Sequence, residues 1–79
     1  MLVKVLGSGC VRCNNLERKV SKIIKDNSID ALVEKVTDLK EIMRYGILST
    51  PGLVIDEKVV SYGSIPKDEQ IIAWLKGGI

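Results

Sequence analysis

The two cysteines of this 79-residue chain stand three apart, in Cys10-Val11-Arg12-Cys13, directly behind Gly7-Ser8-Gly9. There is no histidine, so no imidazole can act as base, acid or metal ligand. The reactive form of cysteine is the thiolate. A helix N-terminus favours it, through partial positive charge and unpaired backbone N–H groups. A helix starting at this motif puts Cys10 at or near the N-cap. Cys13 falls one turn later, on the apolar face with Leu16 and Val20, and Arg12 adds a further positive charge. The pattern predicts Cys10 as the exposed, readily ionised nucleophile. Cys13 is then the shielded thiol that resolves a mixed disulfide.

Two other readings of the pair stand beside this one. Buried cysteines can be ordinary small core residues, but an inert core residue has no reason to sit at a glycine-bounded helix start. A Cys-x-x-Cys pair is also half of a structural zinc site. The other half needs two more Cys or His, and one chain has none. Only a four-thiolate site shared between two copies could hold zinc or an iron–sulfur cluster. A non-catalytic interaction domain is a third possibility, and it predicts an unreactive pair.

The elements that must position these thiols follow from the hydrophobic pattern. Residues 2–6 are dense in apolar residues on both parities, as in a strand buried on both faces. Gly7-Ser8-Gly9 breaks it. From Cys10 to about Asn27, the apolar positions Cys13, Leu16, Val20, Ile23 and Ile24 line one helical face. Asn27-Ser28 ends that helix. Ala31 to Val36 reads as a second strand. Thr37-Asp38 caps a short helix, Asp38 pairing with Glu41 in a capping box. Leu39, Ile42 and Met43 are its apolar face, and Gly46 terminates it. Leu53–Ile55 and Val59–Ser61 form a hairpin around Asp56-Glu57-Lys58, without the glycine that tight turns favour. Pro66 opens a last helix to about Lys76, with Ile71, Ile72 and Leu75 facing inward. The order β-α-β-α-β-β-α predicts one α/β domain over residues 1–79. Its four-stranded mixed sheet has a parallel first pair and an antiparallel hairpin, with helices on the faces.

Composition removes several function classes. Apolar residues make up 46% of the chain, mostly Ile, Leu and Val, and so short a chain needs an efficient core. The net charge is only +2, and the aromatics are limited to Trp74, Tyr45 and Tyr62. That leaves no base-stacking platform and no strong field for nucleic acid or a membrane surface. Trp74 reads as a packing or surface residue. Arg18, Lys19, Lys22 and Lys25 read as the solvated face of the first long helix. No apolar run approaches the roughly 18 residues of a membrane span. Met1–Leu6 lacks the basic-then-apolar layout of a signal peptide, so a cytoplasmic location is expected. One closely spaced cysteine pair is not the framework of a secreted mini-protein.

Pro51, in Ser49-Thr50-Pro51-Gly52, cannot donate to a strand ladder and so belongs at a strand start; on base rates its peptide bond is trans. With Gly9-Cys10-x-x-Cys13 after a first strand, Tyr45-Gly46-Ile47 closing a short helix and Thr50-Pro51 before Leu53-Val54-Ile55, the chain resembles the thioredoxin-fold proteins. It is most similar to the minimal redox-active disulfide proteins of archaea and bacteria, over essentially its whole length. The resemblance implies strand order 2-1-3-4 and three flanking helices. It implies that Cys10 is the nucleophile and Cys13 the resolving thiol, with Pro51 a cis-proline facing them and Thr50 lining the substrate groove. Val11-Arg12 stands where thioredoxins carry Gly-Pro and glutaredoxins Pro-Tyr, a pair that tunes redox potential. Such a protein is a monomer that needs no cofactor. It exchanges electrons with a protein disulfide and draws them from a thiol/disulfide reductase. The substrate-binding rim is expected at Val11, Arg12, Thr50 and Pro51, with Ile47 adjoining.

Overall fold

The computed structural model describes residues 1–7, 9 and 11–77. Among these, strand β1 (Leu2–Leu6) is followed by helix α1 (Val11–Asp26), β2 (Leu32–Val36), α2 (Leu39–Arg44), β3 (Gly52–Ile55), β4 (Lys58–Tyr62) and α3 (Asp68–Leu75). The strands form one sheet in the order β2-β1-β3-β4. The β1–β2 pair is parallel, and the β1–β3 and β3–β4 pairs are antiparallel. This is the thioredoxin-like α/β arrangement that the sequence resembles. The central strands are the apolar ones. All of β3 is buried, while β2 at the edge is largely exposed.

The sheet separates two cores. On one side Val3 and Val5 of β1 and Leu53 and Ile55 of β3 meet Leu16, Val20 and Ile23 of α1 and Ile71 and Leu75 of α3. On the other side Leu6 and Val54 meet Ile42 of α2 and Ile47. The period-2 alternation of the strands thus assigns α1 and α3 to one face and α2 to the other. Each fully buried Leu or Ile contributes about 1.5–3 kcal/mol. The larger cluster therefore anchors α1, and with it the first turn that carries Cys13.

The turns depart from expectation in instructive places. Asp56 and Glu57 both take positive φ (48° and 69°), the two-residue pattern that matches the twist of a hairpin. No glycine is needed because Asp56 is tied to β1. Its carboxylate accepts from the Leu2 N–H at 2.9 Å, and its own N–H donates to Leu2 O at 2.9 Å. Asp38 caps α2 by accepting from the Lys40 N–H at 2.9 Å. Glu41 does not complete a capping box; it pairs with Arg44 at 2.9 Å instead. Gly46 ends α2 at φ +76°. Pro66 does not open the last helix, which begins two residues later with Lys67 as N-cap. The Pro66 carbonyl instead accepts from Lys19 Nζ at 2.7 Å, tying α3 to α1. Among the described residues, no helix is long and apolar enough to cross a membrane.

Candidate active site

Cys13 is in the first turn of α1, on the face it shares with Leu16 and Val20, and it is completely buried. The proposed nucleophile Cys10 lies outside the described residues, and so do its exposure and its distance from Cys13. Val11, immediately before Arg12 on the outer side of that turn, is 75% exposed. The end of β1 reaches Cys13 through Gly7. That residue is buried and held by its N–H donating to Val36 O of β2 at 2.9 Å. A methyl group built on the Gly7 Cα would overlap Cys13 Sγ and stand 2.7 Å from Cys13 Cβ.

The loop before β3 forms the second part of the site. Pro51 is buried and the Thr50–Pro51 peptide is cis. The Pro51 carbonyl accepts from the Gly63 N–H at 2.9 Å. The Gly63 carbonyl accepts in turn from Arg12 Nη2 at 2.9 Å. Gly63, just after β4, therefore links the residue between the two cysteines to the proline loop. It holds φ +82°, and its Cα faces Ser49 so closely that an added methyl would lie 2.6 Å from Ser49 Oγ. The fold thus brings Arg12, Pro51 and Cys13's helical turn into one region.

Beside Thr50 runs an apolar groove of about 380 Å³, lined by Leu39, Ile42, Met43, Ile47, Leu48, Ser49 and Thr50. Here the expected apolar face of α2 is corrected. Ile42 is buried, but Leu39 and Met43 are 67% and 64% exposed and form the groove wall. The three positions share a helical face, but only Ile42 is placed against Leu6 and Val54, and Leu39 and Met43 are left at the groove. Leu48, 94% exposed in the following loop, extends the same surface. An apolar pair, Ile47-Leu48, between Gly46 and Ser49 was the available sign of it.

A charged cluster lies on the α2 side of the sheet, toward the β3–β4 turn and away from the end of β1 that meets Cys13. Lys4 of β1 donates to Tyr45 Oη at 2.8 Å and pairs with Glu57 at 2.8 Å. The Glu57 carboxylate, with the Tyr45 hydroxyl, raises the Lys4 ammonium above its ordinary value, and Lys4 in turn lowers Glu57. The cluster ties β1 to the end of α2 and to the β3–β4 turn. Among the described residues, no group of three or more His, Cys, Asp or Glu is arranged to hold a metal ion.

Gly7 and Gly63 are the residues that sequence reasoning did not place in the site. Gly7 read only as part of the glycine break after a strand, and Gly63 was given no role.

Comparison with known proteins agrees with this architecture. The family described as a thioredoxin domain matches residues 1–76. A thioredoxin of Methanocaldococcus jannaschii is 37% identical over 76 residues, covering 96% of this chain and 87% of that protein. A thioredoxin of Methanothermobacter thermautotrophicus is 31% identical over 71 residues, covering 90% and 92%. A probable thioredoxin of Archaeoglobus fulgidus is 36% identical over 74 residues, covering 87% and 81%.

Proposed function

Because the chain belongs to the thioredoxin domain family and is a thiol–disulfide oxidoreductase, we propose that Cys10 and Cys13 are its redox pair, acting on protein disulfides. The Cys10 thiolate attacks one sulfur of the substrate disulfide. A mixed disulfide forms, and the other substrate sulfur leaves as a thiolate. The Cys13 thiolate then attacks Cys10 Sγ, closing a Cys10–Cys13 disulfide and releasing the second substrate thiolate. Two electrons pass to the substrate, and the pair is left oxidised. A thiol/disulfide reductase returns the electrons and regenerates the dithiol.

The observation that carries this reading is Cys13. A completely buried sulfur in the first turn of α1, the turn whose Arg12 is linked through Gly63 to the Pro51 loop, suits a thiol that acts only after the mixed disulfide has formed. The apolar groove along Thr50 and Leu48 gives an extended segment of a protein substrate a place to lie, with Val11 and Arg12 at its approach. In this reading the 79 residues act as one monomeric cytoplasmic domain, where a reducing poise keeps the dithiol form dominant.

The test is reduction of a protein disulfide substrate by the dithiol protein. Cys10→Ser is expected to abolish it. Cys13→Ser is expected to accumulate a mixed disulfide through Cys10. Activity that survives Cys10→Ser would overturn the assignment.

A further inference from the structure

We propose that Gly7 is a positioning residue for the resolving step: its bare Cα is the seat on which Cys13 Sγ rests. The inference builds on the assignment of Cys13 as the resolving thiol. Gly7 is not among the glycines with positive φ, so its backbone conformation does not call for glycine. Close approach does. A side chain at residue 7 would overlap Cys13 Sγ and stand 2.7 Å from Cys13 Cβ, and real Cβ atoms do not approach other atoms so closely. Neither partner can easily retreat. The Gly7 backbone is held by the bond from its N–H to Val36 O at 2.9 Å, one residue past the end of the β1–β2 pairing. Cys13 sits on a helix whose next inward residues, Leu16 and Val20, are fully buried in the larger core.

The contact bears on one half-reaction only. Attack on a substrate disulfide uses Cys10 and does not move Cys13. Closure requires Cys13 Sγ to come in line with the Cys10–substrate sulfur–sulfur bond, so it depends on where Gly7 lets that sulfur stand. Dense packing leaves the sulfur no slack to find its own place. Replacing Gly7 by alanine forces the sulfur to shift by on the order of 1 Å, and misplacement on that scale costs about 100-fold in rate.

The two steps separate in the reaction of the dithiol protein with a chromogenic aromatic disulfide. Release of the first coloured thiolate depends on reagent concentration and reports attack by Cys10. Release of the second does not, and it reports closure by Cys13. In Gly7→Ala, closure is expected to slow by about 10–100-fold while the first release stays within about threefold of wild type. Closure at the wild-type rate in folded Gly7→Ala overturns the proposal. So does equal slowing of both releases, the mark of a general structural defect. If Gly7→Ala does not fold, the exchanged variant Gly7→Ala/Cys13→Gly decides, because it removes both atoms that the new methyl would strike. Recovery of a cooperative thermal transition supports the seat, and its failure to recover overturns it. A wild-type protein that never releases the second thiolate would instead refute the redox-pair assignment, a failure distinct from that of Gly7.

Discussion

Gly63→Ala tests the junction between Arg12 and the Pro51 loop. An alanine at φ +82° is in the left-handed region, which costs about 1–2 kcal/mol for an L-residue. The new methyl also meets Ser49 Oγ at 2.6 Å, so residue 63 or Ser49 must give way. If the turn shifts, the bond from the Gly63 N–H to Pro51 O weakens, and the bond from Arg12 to Gly63 O weakens with it. Loss of one such bond costs about 0.5–1.5 kcal/mol. The sum is about 2–4 kcal/mol. For a chain of this size each kcal/mol moves the thermal midpoint by about 4–8 °C, so a fall of about 8–32 °C is expected. The assay is thermal denaturation followed by circular dichroism, repeated with Ser49→Ala in both backgrounds. Removing the Ser49 hydroxyl should restore the steric part of the loss and leave the part due to φ. A Gly63→Ala midpoint within about 2 °C of wild type would refute the reasoning. A loss that is the same with and without the Ser49 hydroxyl would refute the contact specifically.

Other outcomes follow from the groove and from the charged cluster. Leu48→Glu is expected to leave stability within about 0.5 kcal/mol of wild type, because the side chain is 94% exposed. It should raise KM for a protein disulfide while the rate with a small aromatic disulfide is unchanged; steady-state kinetics on both substrates checks this. Glu57 is held below the usual carboxylate range by Lys4. Its stabilising effect is therefore present above that range and lost as the pH falls through the lowered value. Urea midpoints measured from about pH 6 down to pH 2 should fall in wild type, and Glu57→Gln should flatten part of that slope. An identical slope in the variant would contradict the role given to the Lys4–Glu57 pair.

How much of this was legible beforehand depended on the length of each pattern. Helix α1 runs over 16 residues, so Leu16, Val20 and Ile23 marked its inward face without ambiguity. The strands followed from β-branched runs between turn residues, and their order came with the resemblance. Short elements were less readable. In α2, Leu39 and Met43 share a helical face with Ile42, but only tertiary placement decides whether that face meets a core or a groove. Pro66 is suited to a helix start, yet its carbonyl serves Lys19 and the helix begins beyond it. Cys13 stood out with Cys10 by type and spacing, while the place of Pro51 came only with the resemblance. The contributions of Gly7 and Gly63 are absences of side chains, facing Cys13 and Ser49 in contacts that only the folded backbone creates. One-dimensional spacing does not report such contacts.

A redox titration of the intact protein in graded glutathione buffers tests the central claim most directly, with thiol labelling and Trp74 fluorescence as readouts. The account predicts a single reversible two-electron transition, about 30 mV per tenfold change in the ratio of dithiol to disulfide, and its disappearance in Cys10→Ser. Two thiols that remain labelled at every buffer ratio, or a transition that persists without Cys10, would contradict it.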